Sequence, residues 1–404
     1  MKNILVFFGG KTVEHDVSVV TAQQLIQNLD KTKYNPVPVY ITRDGDWFTG
    51  EKLLNIEAFK SFDKGDPTVT RVYLPANTRT KQLYRFEPKK TGLFRKESEV
   101  YCQIDGAIIA MHGLNGEDGT LQGLLELADV PYTSSGVLGA ASGMDKILMK
   151  AVFLGAGLPV LPYVYFNRDE FDQDKNAILD KCEAKLTYPM FVKPSNLGSS
   201  IGISKAHNRE ELEEAISVAR EYDRRILVEK GVDSPKEINC SAKGFGSDVT
   251  ASVCEMPYNA DEFLTFKDKY LSGGKNQAGM EALSRRIPAP IPDELTEKIR
   301  NMTVEAFKLM DCKGVVRIDY ILNSDMTELY INEINIIPGS FAFYLWEPLG
   351  IGYTQLIDEL IEIAQKANED KKNNNFAFDS EIIQGFARNS LKAGKFGAGK
   401  IGKI

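Results

Sequence analysis

The segments RIDY, at 317–320, and NEIN, at 332–335, each carry two polar or charged side chains two residues apart in apolar surroundings. Residues two apart on a β-strand face the same side. Arg317 and Asp319 therefore share a face, as do Glu333 and Asn335. If the two strands are neighbours, an aspartate, a glutamate and an asparagine converge. Three oxygen ligands of that kind suit magnesium, which favours carboxylates together with phosphate oxygens and water. An adjacent arginine would neutralise charge on a phosphoryl group in transfer. The plainer alternative is an Arg–Asp pair beside a glutamate at a sheet edge. Two carboxylates on one inward face cost enough desolvation to weigh against it.

Other segments offer partners for phosphates. In FVKPSNLGSSIGISK (191–205), Lys193 leaves a strand end and enters a loop with Gly198, Ser199, Ser200 and Gly202. Backbone N–H groups and hydroxyls in such a loop suit phosphate oxygens, although an exposed loop with a solvated lysine fits equally well. In VEKGVDSPKEI (228–238), Glu229 and Lys230 stand at a strand end where backbone groups can meet an adenine edge. Glu237 can accept from ribose hydroxyls, and solvated strand-end charges are the alternative. Glu14 and His15 follow a glycine turn after the first strand, where α/β sheets bind ligands. A carboxylate capping the next helix reads just as well there. Two nucleotide signatures fail. GKFGAGKI in the tail spaces Gly394, Gly399 and Lys400 as in a Walker A loop but lacks the Ser or Thr, and no helix follows. LGAGLP (154–159) does not complete GxGxxG.

These residues need a scaffold, and the chain has the composition for one: 404 residues, 43% hydrophobic and 26% charged. A net charge of −7 disfavours a general nucleic-acid binder. The apolar start MKNILVFFGG is too short for a signal peptide or membrane span and reads as a buried parallel strand. Five scattered cysteines without a CxxC pair point to reduced, mostly buried thiols in a cytoplasmic protein. ILVFF (4–8), a helical stretch and NPVPVYIT (35–42) form a β-α-β opening that predicts a mainly parallel sheet. The polar segment 60–103 reads as an elaboration on it, and GAIIAMHG (106–113) as a further buried strand. YPMFVKPS and RILVEKGV are strands around the helix REELEEAISVAREYD. KEINCSAKGF, VTASVCEMPY, GVVRIDYILN and ELYINEINII form a third group, with a helix over 293–310.

Taken together, the motifs GGKTVEHDVSV (9–19), HGLNGEDGTLQG (112–123), PYTSSGVLGAASGMDKILMK (131–150), VKPSNLGSSIG (192–202), VEKGVDSPKEI (228–238), DKY (268–270), VRIDY (316–320) and NEINIIPG (332–339) resemble the D-alanine–D-alanine ligase family of the ATP-grasp superfamily. The resemblance spans about residues 2–365. It implies an α/β chain with a Rossmann-like N-terminal domain (1–143), then central (144–231) and C-terminal (232–368) ATP-grasp lobes, and a polar tail (369–404). It implies that ATP converts a D-amino acid carboxylate to an acyl phosphate, which a second amine attacks. Lys146 and Lys193 would hold the ATP phosphates, and Ser200 and Lys269 would also bind the cofactor. Glu229, Lys230 and Val232 would line the adenine site, and Glu237 would take the ribose. Asp319, Glu333 and Asn335 would bind two magnesium ions, for which manganese can substitute. Glu14 would accept the ammonium of the first D-amino acid, with Ser199 and Tyr270 linking that glutamate to a loop over 266–286. That loop suits a lid by composition, or is an ordinary exposed loop. Arg317 and the N–H of Gly339 would stabilise the acyl phosphate and the tetrahedral intermediate. The family further implies a cytoplasmic homodimer that serves peptidoglycan synthesis, with no nucleic-acid or membrane partner.

One segment departs from the family. After Pro338-Gly339, relatives continue towards a serine and a neighbouring residue that grip the acceptor carboxylate. Here Ser340 and Phe341 are followed by Ala342 and Phe343, and Tyr344 and Leu345 occupy the gripping positions. A phenol can donate to a carboxylate but is much bulkier. Either the acceptor differs from D-alanine or is held differently, or Tyr344 and Trp346 pack in the core while Ser340 replaces the hydroxyl. Tyr270 goes with the peptide-forming members of the family.

Overall fold

In this computed structural model, residues 1–90, 96–257, 285–375 and 382–383 are described. Residues 1–367 form one compact unit and 368–404 a second. The first sheet is built around β1 (Lys2–Gly9), whose KNILVFFG run is almost wholly buried. It pairs in parallel with β2 (Tyr34–Ile41) and with a strand at Gly106–Ile109. The helix α1 (His15–Asn28) connects β1 to β2. Among the described residues, only those three strands pair in parallel. The sheet has seven strands, and Trp47–Thr49, Thr70–Tyr73, Gln82–Arg85 and Val100–Gln103 extend it beyond β2 in antiparallel pairing. The sheet is thus mixed rather than mainly parallel, because the chain turns back at Trp47–Thr49 and the 60–103 elaboration continues as short antiparallel strands.

A four-stranded antiparallel sheet follows, with Tyr163–Asn167 and Arg225–Lys230 adjacent, then Met190–Pro194 and Ser204–Ala206. Helices Lys175–Glu183 and Arg209–Tyr222 cover it. Phe166, Leu179, Val192, Ile216 and Ile226 form a core of their own there. The third sheet has five antiparallel strands, with Lys236–Phe245 between Asp248–Pro257 and Gly314–Leu322, and Leu329–Asn335 beyond. Helix Asp293–Leu309 buries Ile299, Ala306 and Phe307 against it. That core is continuous with the core of the first sheet.

Between the first and second sheets the helix α2 (Lys146–Gly155) is N-capped by Asp145, which accepts from Leu148 N–H at 2.9 Å. Asp145 also accepts from Ser195 Oγ at 2.9 Å and pairs with Arg225. The start of this helix is therefore fixed to the second sheet, while Met149 and Phe153 on it are buried in the larger core. Cys182, Cys240, Cys254 and Cys312 are buried free thiols, and Cys102 is half-buried. No helix among the described residues is long and apolar enough to cross a membrane.

Candidate active site

Strand register sets the first part of the site. Asp319 lies opposite Glu333, and Arg317 opposite Asn335, on adjacent strands. The Arg317 guanidinium grips Asp319 with both prongs, Nε to Oδ1 at 2.6 Å and Nη2 to Oδ2 at 2.7 Å. Asn335 Nδ2 adds a 3.0 Å bond to the same carboxylate. Burial alone would weaken the charge on Arg317, but Asp319 more than reverses this and holds its pKa well above the usual value. Among the described residues no three His, Cys, Asp or Glu side chains cluster as a metal site. The oxygen donors here are two carboxylates and an amide, a set that suits a hard divalent cation bound also by phosphates. Within the protein their charge is met by Arg317 and by Lys146, whose Nζ is 3.2 Å from Glu333 Oε2.

Lysines approach the same place from the other side. Lys146 also donates to the carbonyl of Leu197 at 2.9 Å. Lys193 donates to Asn332 Oδ1 at 3.1 Å and pairs with Glu229. Lys150, one turn beyond Lys146, lies 2.9 Å from the other Glu229 oxygen, and both groups are fully buried. Burial would raise the pKa of Glu229, yet Lys150 and Lys193 outweigh it and bring it down to about 2. The Glu229 side chain thus acts as the counter-ion of two lysines. Lys146, Lys193, Ser200, Glu229, Lys230, Val232, Glu237, Asp319 and Glu333 all line one cleft of about 940 Å³, measured to its open mouth.

Glu14 precedes α1 at the N-cap position but makes no side-chain cap there. Its carboxylate is 5% exposed and accepts instead from Ser199 Oγ. Two glycines make room for it. A Cβ on Gly198 would sit 3.1 Å from both Glu14 oxygens, and one on Gly113 2.6 Å from Oε2. The helix-cap alternative therefore gives way to a carboxylate turned into the loop of Gly198 and Ser199. His15 is occupied structurally, its ring nitrogens bonded to Gly10 O at 2.7 Å and Tyr40 Oη at 3.0 Å. Tyr270 and Lys269, with most of the expected lid, lie outside the described residues.

Residues 339–346 wrap into the core as a 3-10 segment, Gly339–Leu345, in which Ser340, Phe341 and Ala342 all have positive φ. Left-handed backbone at non-glycine residues costs about 1–2 kcal/mol each and clusters at functional sites. Ser340 is 1% exposed and donates to Gln24 Oε1 at 2.5 Å. Leu345 and Trp346 are buried, with the Trp346 indole donating to Ser241 Oγ at 3.2 Å. The core-packing alternative thus holds for Trp346. Tyr344 behaves differently, donating to Glu255 Oε1 at 3.1 Å beneath the Arg285 guanidinium, 4.1 Å from its ring centre.

Four participants were not singled out from sequence. Lys150 carries a signal, since it lies four residues after Lys146 and so on the same helix face. Glu117 accepts from Gly113 N–H at 2.7 Å and Ile337 N–H at 3.1 Å, joining the first domain to the segment leading to Gly339. Its signal is an acid set among the glycines of HGLNGEDG. Burial and the neighbouring Glu14 push its pKa up to about 8. Glu255 and Arg285 carry no local signal.

A family model described as D-ala D-ala ligase C-terminus matches residues 152–362, and one described as D-ala D-ala ligase N-terminus matches 3–135. The VanG D-Ala:D-Ser ligase from Enterococcus faecalis is similar at 29% identity, over 90% of this chain and 99% of that one, with a TM-score of 0.73. The D-alanine-D-alanine ligase from Coxiella burnetii is similar at 25% identity, over 92% and 97%, with a TM-score of 0.72. The D-Alanine-D-Alanine Ligase from Helicobacter pylori, at 22% identity and a TM-score of 0.70 over 90% and 98%, shares the fold. An ATP-grasp carboxylate–amine ligase is the class that this fold and these matches define. Within it, the chain belongs to the D-alanine–D-alanine ligase family and is an ATP-dependent D-amino acid ligase.

Proposed function

We propose that the protein joins two D-amino acids, with D-alanine as donor, for peptidoglycan precursor synthesis in the cytoplasm. The observation that carries this reading is the bond from Ser199 to Glu14. It ties a carboxylate suited to an ammonium group to the loop that borders the nucleotide cleft. Lys146 and Lys193 bind the phosphates of ATP; Glu229, Lys230 and Val232 border the base, and Glu237 the ribose. Glu14 fixes the donor ammonium so that the donor carboxylate faces the γ-phosphate. A carboxylate oxygen attacks that phosphorus, ADP leaves, and an acyl phosphate forms. The acceptor amine, once deprotonated, attacks the acyl carbon and phosphate departs, leaving a peptide bond. Arg317 and the Gly339 N–H neutralise charge on the acyl phosphate and the tetrahedral intermediate. Asp319, Glu333 and Asn335 would hold two magnesium ions, which supply charge neutralisation at the transferred phosphoryl group. Residues 1–143, 144–231 and 232–368 act as donor, nucleotide, and metal and acceptor domains. A homodimer through the first domain and peptide rather than ester formation, with Tyr270, complete the reading.

The test is ATP turnover with D-alanine and a panel of D-amino and D-hydroxy acids. Phosphate release that needs D-alanine and yields a D-dipeptide is expected, with Arg317→Ala slowing it at least a hundredfold. Turnover indifferent to D-amino acids would overturn the reading. Tyr344 in the gripping position favours a second version, in which the acceptor is not D-alanine. The likeness to a D-Ala:D-Ser ligase makes D-serine the first acceptor to compare.

A further inference from the structure

The proposed reaction leaves one group unaccounted for, the carboxylate of the acceptor amino acid. A buried carboxylate needs donors or a positive charge. Tyr344 has a single O–H, and that proton goes to Glu255 Oε1. Glu255 is itself 3% exposed and held by Asn239 Nδ2 at 2.9 Å, so the acceptor for the phenol is fixed. Burial and Glu255 together also keep the phenol protonated. What remains towards a ligand is the phenol's oxygen lone pairs, which repel a carboxylate. The hydroxyl of Ser340 is committed to Gln24, and Leu345 offers no polar side chain. Neither side-chain route expected for this segment supplies a donor.

A cation does stand there. The Arg285 guanidinium lies over the Tyr344 ring at 4.1 Å, and its Nη1 is 3.6 Å from Glu255 Oε2. Arg285 is 13% exposed in its side chain, so its charge is little screened. A guanidinium carries a planar fork of N–H donors that matches a carboxylate. The cluster borders the reacting centre, because Arg317 interacts electrostatically with both Tyr344 and Glu255. Strand register reinforces this. Glu255, Asn239, Asp319 and Glu333 lie opposite one another across four successive strands. One line of side chains therefore runs from the nucleotide cleft to Arg285.

We propose that Arg285, laid over Tyr344 and braced by Glu255, binds the carboxylate of the acceptor amino acid. This rests on the ligase reading above. Tyr344 is then the platform for the arginine and Glu255 its brace. The substrate class this selects is an acceptor with a free carboxylate and a small side chain, since the Tyr344 ring fills space near it.

The experiment is an internal competition. Full-length enzyme, ATP, magnesium and D-alanine are mixed with D-alaninamide, which has the acceptor amine but no carboxylate. Mass spectrometry then reads the ratio of D-alanyl-D-alanine to its amide. The Arg285→Ala variant is expected to shift that ratio at least tenfold towards the amide, and Arg285→Lys, which keeps the charge but loses the fork, by less. The partition is independent of how much enzyme is active, so partial loss of folding does not mask it, and the lysine variant carries the test if the alanine variant is inactive. An unchanged partition overturns the assignment. Failure of the ligase reading itself appears separately, as no D-alanyl hydroxamate from unaltered enzyme when hydroxylamine is added to trap an acyl phosphate.

Discussion

Glu229 faces two lysines from two different elements, and the three charges stand or fall together. Removing one partner of a buried ion pair leaves an uncompensated charge, at a cost of about 3–5 kcal/mol. Glu229→Gln, which leaves the fully buried Lys150 without its counter-ion, is expected to destabilise by about that amount in urea unfolding, and adding Lys150→Met to recover part of the loss. Failure of the second change to rescue the first would show that an uncompensated Lys150 charge is not the cause of the loss. His112 makes a pH-dependent contribution. It is buried, bonded to Thr21 Oγ1 at 2.9 Å and to the backbone of Ile337, and burial lowers its pKa to about 4. The unfolded chain takes up this proton as pH falls below about 6.5, whereas the native state does not until about 4. Stability therefore falls with pH across that window, by up to about 1.4 kcal/mol per pH unit from this group. His112→Gln should flatten that part of the profile relative to the unaltered protein, and parallel profiles would refute it. His112 was visible in the sequence as part of a motif, but its role was not. Its partners Thr21 and Ile337 are far away along the chain, and only the fold brings them in.

At the level of elements, the segments 317–320 and 332–335 were legible because period-two spacing on a strand fixes which side chains share a face. The adjacency of those strands turned two pairs into one site. Strands Thr70–Tyr73, Gln82–Arg85 and Val100–Gln103 were not legible for the opposite reason. Most of their residues are half-buried on both faces, so no alternation of polar and apolar residues marks them. The acceptor cluster was hidden because Glu255, Arg285 and Tyr344 come from three elements, related only by register and by a left-handed stretch that composition does not announce. The loop after Met190–Pro194 was legible as a glycine- and serine-rich loop, and its glycine at 198 makes room for a carboxylate from another element. Gly198→Ala should crowd Glu14 and raise the KM for donor D-alanine at least tenfold, with a smaller effect on the KM for ATP. Equal effects on both would mean that the loop, rather than Glu14, is disturbed.

Across the whole molecule, the four-stranded sheet has its own core while the first and third sheets share one. The cleft proposed to take the nucleotide draws residues from the second and third sheets. A ligand bound there connects elements that otherwise have separate apolar interiors. Saturating magnesium and a non-hydrolysable ATP analogue should stabilise by about 2.7 kcal/mol at a hundred times Kd. In hydrogen exchange, amides of residues 163–230 should gain protection as a group when it binds. Protection confined to the loop at 195–203 would argue against the two cores being coupled through the nucleotide. The helix Lys146–Gly155 joins the two bodies: Met149 and Phe153 sit in the larger core, while Asp145 and Lys150 pair with Arg225 and Glu229 of the four-stranded sheet. A recombination event that exchanged the nucleotide lobe with a relative would therefore meet a mismatch on either side of that helix. With a crossover before it, foreign apolar residues enter the resident core; with one after it, resident lysines meet foreign carboxylates. The two packed bodies therefore meet at a joint that a crossover on either side would break.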